Sequence, residues 1–194
     1  KDRKIKEILV TDSVYKANKH AIDLHKFRIV SPNQIDTMIK SNTSIHQGIA
    51  AHVNPLDVKS LSYLTKKLDG KTKSLIVALD QITDPQNAGA IIRSCSAFSV
   101  DGIITTKHNS FPENGALAKA SSGTIENVDL ITVPNLSNTF EDLKEKGYWI
   151  VGLDGEGKED ISKIKEYDKL VLVLGAEGSG IRRLTKENCD FLAK

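Results

Sequence analysis

Two polar stretches, each directly after an apolar run, carry the side chains best suited to chemistry. The first is QITDPQNAGAIIRSCSAF, residues 81–98, which contains Asn87 and, six residues later, Arg93. The second is GAEGSGIRRLTKENCD, residues 175–190, in which glycines surround Glu177. Amide and guanidinium groups bind anionic or oxygen-rich ligands, and glycines let backbone approach a ligand closely. We therefore predict that these two stretches form the functional site.

The first stretch also admits a purely structural interpretation. Asn87 lies where a helix is predicted to begin, so its side chain either caps that helix or points its amide at a ligand. Arg93 follows among apolar helix residues, and it either extends to solvent or grips a phosphate. The spacing alone leaves both alternatives open.

The second stretch matches neither common phosphate-binding pattern. GAEGSG lacks the G-x-G-x-x-G spacing of dinucleotide-binding loops, and no Gly-Lys-Ser/Thr follows as in a Walker loop. An acidic residue, Glu177, disfavours a phosphate and favours a neutral or cationic ligand. S-adenosylmethionine fits this requirement, because its sulfonium carries a positive charge, opposite to that of Glu177. The alternative is a turn that binds no ligand.

The elements that would position these stretches form an alternating series. LIVALD (residues 75–80) and LVLVLG (residues 170–175) are nearly continuous apolar runs, as expected of strands covered on both faces. Strands and helices alternate from residue 74 onward, which predicts an α/β domain with a parallel, doubly wound sheet. Ligands of such sheets bind beyond the carboxyl ends of the strands, where both polar stretches begin.

A smaller α/β unit is predicted in front, over residues 1–54. Its strands are predicted at 5–11, 27–30 and 48–53, with a first helix over 18–25. A second helix begins at Ser31, where Pro32 and Gln34 complete a capping pattern. Residues 55–73 are polar and lysine-rich, and are predicted to be a linker with a short helix. The second domain then covers residues 74–194.

Composition excludes several classes of protein. The net charge of +2 is too small to attract a nucleic acid to the protein as a whole. A nucleic-acid partner therefore requires a local basic surface. No apolar run approaches the length of a membrane span. The two cysteines, Cys95 and Cys189, lie far apart, as expected of free thiols in a reducing compartment, and the histidines lack ligand spacing. No metal site is predicted.

At the two polar stretches the sequence resembles the SpoU, or TrmH-like, branch of the SPOUT methyltransferases. DPQNAGAIIRS, with Asn87 and Arg93, is similar to the first motif of that family. GAEGSG with the downstream Cys189-Asp190 is similar to the second, and KASSGTIENV to the intermediate segment. Ser99 and Thr124 depart from the residues common in the family, which are glycine and alanine.

This resemblance implies an S-adenosylmethionine-dependent RNA ribose 2′-O-methyltransferase with a trefoil knot and no metal. The implied catalytic residues are Asn87, Arg93 and Glu177. The implied cofactor-binding residues are Gly175, Ala176 and Gly178. Val133 and Asn135 are implied to line the opposite wall of the cofactor site, called the second wall below. The implied RNA contacts are Arg93, Ser121 and Gly123.

The front unit closes on HQGIAAHV, residues 46–53, and is similar to the ribosomal-protein-like RNA-binding domain of 23S rRNA guanosine-2′-O-methyltransferases. This resemblance favours ribosomal RNA over the alternative, tRNA. A non-catalytic RNA-binding protein that keeps the fold is the alternative from another class. The family also implies a homodimer, in the cytoplasm of a bacterium or the matrix of a mitochondrion.

The third motif of the family, which completes the knot, is expected just past Asp190. The printed sequence ends at Lys194. The resemblance thus implies that this motif, and the C-terminal part of the knot, would lie beyond Lys194, and the sequence leaves their presence open.

Overall fold

Residues 3–39 and 46–194 are described by the computed structural model, which divides the chain into two units, Lys1–Leu56 and Asp57–Lys194. The first unit has the order β1 (Ile5–Val10), α1 (Asp12–Ile22), β2 (Phe27–Ile29), α2 (Pro32–Ile39) and β3 (Ile49–Val53). Strand β1 lies in the middle of the sheet, parallel to β2 and antiparallel to β3.

The capping pattern predicted for α2 is confirmed. The Ser31 backbone N–H donates to Gln34 Oε1 at 2.8 Å, and the Gln34 N–H donates to Ser31 Oγ at 3.3 Å. The predicted start of α1 is wrong, because the helix begins at Asp12 rather than near Asn18. Asn18 instead forms a kink inside the helix, where its side-chain amide donates to the Val14 carbonyl. A local hydrogen bond thus competes with regular helix at this asparagine.

The second unit alternates strands and helices along its whole length. Its elements are α3 (Leu61–Lys67), β4 (Ser74–Asp80), α4 (Pro85–Ala97), β5 (Gly102–Thr106), α5 (Gly115–Ala120), β6 (Leu130–Val133), α6 (Leu136–Lys144), β7 (Trp149–Leu153), β8 (Lys169–Gly175), α7 (Arg183–Glu187) and β9 (Phe191–Ala193), with 3₁₀ segments at Thr124–Glu126 and Ile161–Glu166. All six strands pair in parallel, in the order β6-β5-β4-β8-β7-β9. The predicted α/β fold with a parallel sheet is confirmed.

The strand order creates a switch point between β4 and β8. From β4 the chain proceeds to β5 and β6 on one side of the sheet, whereas from β8 it proceeds to β9 on the other. The connections after β4 and β8 therefore diverge and leave a crevice between them. In open parallel sheets this crevice is where ligands bind.

The hydrophobic core fixes the central strands and also includes α3. Ile76 and Ala78 of β4 pack in one cluster with Phe140 of α6, while the alternate residues Val77 and Leu79 are also buried. Both faces of β4 are therefore covered, as its apolar sequence predicts. Leu64 of α3 is fully buried in the same cluster. Of the predicted linker, residues 55–73, the part from Asp57 onward thus belongs to the second unit.

Strand β9 lies between two segments of the chain that precede it. On one side it pairs with β7, and the Asp154 N–H donates to the Ala193 carbonyl at 2.9 Å. On the other side Glu159, in the connection from β7 to β8, bridges to Ala193. The Lys194 N–H donates to the Glu159 carbonyl at 3.0 Å, and the Ile161 N–H donates to the Lys194 carbonyl at 3.0 Å. The chain therefore enters a slot formed by its own β7–β8 connection.

Candidate active site

The two predicted stretches meet at the switch point. Asp80, the last residue of β4, is the register partner of Gly175, the last residue of β8. Seven residues after Asp80, the side-chain amide of Asn87 donates to Glu177 Oε2 at 2.7 Å. This hydrogen bond joins residues 90 positions apart in the chain. The prediction that both stretches form one site is therefore supported by a direct contact between them.

The structure decides between the two interpretations of Asn87. Helix α4 begins at Pro85, and the side chain of Asp84 caps it by accepting from the Asn87 backbone N–H at 3.0 Å. The cap is thus Asp84, and Asn87 lies inside the first turn. Its side-chain amide is consequently available to the neighbouring loop, and the capping alternative for Asn87 is wrong.

Residues 175–180 form a tight turn that presents Glu177 at its tip. The Gly180 N–H donates to the Ala176 carbonyl at 2.8 Å, and Gly178 and Gly180 have φ of +87° and +65°. A Cβ on Gly175 would lie 2.1 Å from the Gly180 carbonyl carbon, so the turn folds directly over Gly175. Glycine is thus required at Gly175 by close packing and favoured at Gly178 and Gly180 by the left-handed backbone. Residues 177–179 are exposed, and at Gly178 this exposure is that of the backbone itself.

An ion pair beneath this turn, between the buried Asp80 and the half-exposed Arg182, was not predicted from the sequence. The Asp80 carboxylate is fully buried and accepts from Arg182 Nε at 2.8 Å, with Arg182 Nη2 at 2.7 Å from the same oxygen. Its second oxygen accepts from the Arg182 backbone N–H at 2.9 Å. The available signal was an aspartate that closes an otherwise apolar strand run, because such a charge is buried only with a partner.

Arg93 lies on a different side of α4 from Asn87. Six residues of helix separate them, which turns their side chains roughly 120° apart around the axis. Arg93 is one turn beyond Gly89, at which a Cβ would lie 2.4 Å from Ala120 Cβ. Arg93 therefore lies along the side of α4 that contacts the end of α5. It is exposed, and within residues 3–39 and 46–194 it has no hydrogen-bond or ion-pair partner.

The predicted RNA contacts Ser121 and Gly123 lie beyond the end of α5. Ser121 is fully buried, and its hydroxyl donates to the Ala118 carbonyl at 3.0 Å. Gly123 has φ of +82° and open space at its Cβ position. The Ser121 side chain thus shapes this turn from inside, whereas the backbone at Gly123 is accessible. Both RNA contacts stay predictions.

The predicted second wall, Val133 and Asn135, lies at the end of β6. Val133 is buried, and Asn135 caps α6 by accepting from the Asn138 N–H at 3.0 Å. Strands β5 and β4 stand between β6 and β8. The strand that does adjoin β8 on its other side is β7, so the geometry favours the end of β7 over that of β6 as a wall next to Gly175.

The end of β7 carries a second ion pair at the same edge of the sheet. Asp154 Oδ2 lies 2.5 Å from Lys186 Nζ of α7, and the Asp154 side chain is also the nearest neighbour of the Gly180 Cβ position, at 3.9 Å. Hydrogen bonding from Lys186, with a further bond from the Glu156 N–H, lowers the pKa of Asp154 below its ordinary value. An ionised carboxylate is therefore held beside the glycine turn.

The two cysteines are unsuited to nucleophilic chemistry. Burial raises the pKa of Cys95 to about 11 and that of Cys189 to about 12. Cys189 also donates to the Thr185 carbonyl, and the neighbouring Asp190 accepts from the Ile150 N–H at 2.7 Å. The Cys-Asp pair of the second motif thus anchors the chain between α7 and β9.

In the described part of the chain, no group of three His, Cys, Asp or Glu residues is arranged to hold a metal ion, and no helix is long and apolar enough to cross a bilayer.

Comparison with known proteins finds one family across the second unit. Residues 74–194 match the model of the SpoU rRNA Methylase family. The chain is 35% identical over 195 residues to a putative TrmH family tRNA/rRNA methyltransferase of Staphylococcus saprophyticus, covering 96% of this chain and 77% of that protein. It is 41% identical over 155 residues to the 23S rRNA (guanosine-2′-O-)-methyltransferase RlmB of Vibrio vulnificus, covering 80% of this chain and 63% of that protein.

Solved structures show the same fold. The SpoU methyltransferase AviRb from Streptomyces viridochromogenes, in complex with the cofactor AdoMet, superposes with a TM-score of 0.76 at 18% sequence identity. The match covers 98% of this chain and 73% of that one. At this identity the likeness concerns the fold, including the parallel sheet on which the two stretches meet.

Proposed function

Because the chain belongs to the SpoU rRNA Methylase family, we propose that it transfers a methyl group from S-adenosylmethionine to a ribose 2′-hydroxyl of RNA. The observation that carries this proposal is the 2.7 Å hydrogen bond from Asn87 to Glu177. It joins the two motif loops at the switch point of the sheet. Arg93, on a different side of α4, has no carboxylate partner in the described part of the chain and is exposed for an RNA phosphate.

The glycine turn leaves open space for a ligand and has a charge that suits S-adenosylmethionine. Gly178 has nothing within 4 Å of its Cβ position, and the exposed backbone of the turn offers amides and carbonyls to a ligand. The nearby carboxylates, Glu177 and Asp154, suit a positive group and disfavour a phosphate. When bound, the cofactor supplies a methyl group on a positively charged sulfonium. We assign its binding to Gly175, Ala176 and Gly178, with the end of β7 beside them.

Arg93 is assigned to RNA binding and to stabilisation of charge. Arginine stays protonated in proteins, so it does not act as a base on the 2′-hydroxyl. Its planar guanidinium instead binds an RNA phosphate and stabilises the negative charge that develops on the ribose oxygen as the hydroxyl proton passes to solvent. The hydrogen bond to Glu177 orients the Asn87 amide, whose carbonyl oxygen is then free to accept from the ribose hydroxyl.

Ribosomal RNA is the substrate that we propose, with tRNA as the alternative. The supporting feature is the first unit, a small mixed sheet with two helices, which precedes the methyltransferase domain as the RNA-binding domain does in the 23S rRNA enzymes. A relative named as a 23S rRNA methyltransferase is also 41% identical over 155 residues. RNA binding by the first unit is part of this proposal.

We also propose that β9 begins the threaded part of a trefoil knot. The support is its position between β7 and Glu159, inside the connection that joins β7 to β8. A homodimer, and a location in the bacterial cytoplasm or the mitochondrial matrix, complete the proposal. Sedimentation of the full-length protein at micromolar concentration tests the dimer, and a monomer alone would contradict it.

The test of function is methyl incorporation by the full-length protein. Unmodified rRNA and tRNA are incubated with tritiated S-adenosylmethionine, and the product is digested with alkali. Ribose methylation makes the adjoining phosphodiester resistant to alkali because the 2′-oxygen can no longer attack it, so we expect labelled, alkali-resistant dinucleotides from rRNA. Label on a base would contradict the proposed reaction, and transfer to tRNA alone would contradict the proposed substrate.

Arg93→Ala tests the assigned role. Loss of one preorganised donor costs about 10²–10³ in rate, and we expect a loss of this size with cofactor affinity unchanged. Arg93→Lys restores little, because a point charge does not reproduce the planar fork. Arg183→Ala is the matched control, since Arg183 is also exposed but paired with Glu187 on α7. Near-normal turnover of Arg93→Ala would refute the assignment.

A further inference from the structure

We propose that Asp80 and Arg182 are positioning residues for methyl transfer, because their ion pair sets the separation of the two loops that carry Asn87 and Glu177. This inference rests on the proposed function. The pair stands outside the groups assigned above to RNA, ribose or cofactor. Its effect on the reaction is exerted entirely through the geometry of the loops above it.

The pair closes a ring that contains the site. Asp80 immediately precedes the loop that leads to Asn87, and Arg182 follows the turn that carries Glu177. The loops are joined above by the Asn87–Glu177 hydrogen bond and below by the three contacts of Arg182 with the Asp80 carboxylate. The two loops thus have two tethers: an upper one, the exposed Asn87–Glu177 hydrogen bond, and a lower one, between the buried Asp80 carboxylate and the half-exposed Arg182 side chain.

The lower tether is the stronger of the two. Asp80 is fully buried, and both its oxygens accept from Arg182. Charge-assisted hydrogen bonds are stronger than neutral ones, and the Asp80 carboxylate is shielded from water although the Arg182 side chain is half exposed. Glu177 is exposed, so its bond with Asn87 competes with water. The Asp80–Arg182 pair therefore holds the loops where the exposed Asn87–Glu177 bond can form.

Backbone geometry on both sides of the pair shows how closely the loops are held. Gln81, directly after Asp80, has φ of +57°, a conformation that residues other than glycine adopt at an energetic cost. On the other side, the turn packs so tightly over Gly175 that Arg182 is brought back to the end of β4. Such strain persists only where the surrounding structure determines it, and the fixed Asp80 carboxylate supplies that anchor.

The informative variant is Arg182→Lys, which keeps the positive charge but loses the planar guanidinium group that contacts Asp80. Lysine cannot place two side-chain donors on Asp80 as the guanidinium does, so the loops shift relative to each other. A displacement of about 1 Å in a reacting group costs about 10² in rate. We expect a loss of this order in the single-turnover rate, with a smaller effect on RNA affinity. Arg183→Lys, one residue away and exposed, is the matched control.

A second control separates positioning from stability. Asp129 is also buried and paired, with Lys67 Nζ at 2.7 Å, but it precedes β6 at the opposite edge of the sheet. Asp129→Asn should lower the denaturation midpoint and leave the rate per folded molecule unchanged at a temperature where all variants are folded. If Asp129→Asn lowers that rate as much as Arg182→Lys, the role of Arg182 is structural and the inference is wrong.

A spectroscopic readout is independent of catalysis. In ¹⁵N-labelled full-length protein, the side-chain amide of Asn87 is assigned from its loss in Asn87→Asp. The inference predicts that Arg182→Lys moves this signal toward its position in Glu177→Ala, where the bond is absent, and that Arg183→Lys leaves it in place. If wild type fails to methylate RNA, the proposed function fails, and this signal still decides the inference. An unmoved Asn87 signal in Arg182→Lys overturns it.

Discussion

Gly175→Ala is the substitution for which the structure predicts the sharpest effect. The added Cβ would lie 2.1 Å from the Gly180 carbonyl carbon, 2.2 Å from the Ile181 nitrogen and 2.3 Å from the Gly180 oxygen. Non-bonded carbon atoms separate at about 3.5–4.0 Å, so the turn must retreat by roughly 1 Å or more. All three obstacles are backbone atoms, which no side-chain rotation relieves.

The energetic consequence follows from that displacement. Overpacking of a well-packed site costs about 1–3 kcal/mol, and a rigid backbone obstacle favours the upper end of this range. A loss of about 3 kcal/mol lowers the melting temperature of a unit of this size by on the order of 10 °C. Cofactor affinity should also fall by at least about tenfold, or about 1.4 kcal/mol, because the displaced turn carries the proposed binding backbone.

Two other glycines supply controls. Gly115, at the start of α5, has open space and an ordinary backbone, so Gly115→Ala should be neutral or stabilise by up to about 1 kcal/mol. Gly178 has open space but φ of +87°, so Gly178→Ala should cost about 1–2 kcal/mol without a clash. Stability is measured by urea unfolding with the single tryptophan, Trp149 of β7 beside β8, as the fluorescent reporter, and affinity by calorimetry. If Gly175→Ala matched Gly115→Ala in both measurements, the packing argument would be refuted.

Two further predictions concern titratable groups. Because burial raises the pKa of Cys95 to about 11 and that of Cys189 to about 12, neither thiol should react with a colorimetric disulfide reagent at pH 8 until urea unfolds the protein, and rapid reaction of the native protein would contradict this. The pKa of Asp154 is lowered in the folded protein, so its pairing with Lys186 stabilises the fold above the ordinary carboxyl pKa of about 3.9 and is lost as the pH falls through the lowered value. Asp154→Asn should therefore flatten the fall in denaturation midpoint below about pH 4, and a wild-type slope in the variant would argue against it.

Local sequence determined much of the fold because the signals are local in origin. Apolar runs of strand length, such as residues 75–80 and 170–175, predict buried parallel strands whatever their partners are. The Ser31-Pro32-Gln34 pattern predicted a helix start that the structure confirms, since all of its hydrogen bonds lie within one turn. The meeting of Asn87 and Glu177 was also predictable, because both are polar residues in loops that follow neighbouring strand ends. The catalytic roles of Asn87, Arg93 and Glu177 stay predictions.

The tertiary structure decided what depends on distant partners. Whether Asn87 caps α4 or binds across the site depends on Asp84, which takes the cap, and on Glu177, which is 90 positions away and accepts the amide. The partner of Asp80 is Arg182, at a separation of 102 residues that no local pattern encodes. The position of β9 between β7 and Glu159 likewise depends on strand order. Local sequence thus supplied the groups and the strands, and the parallel packing of β4 against β8 determined which groups meet.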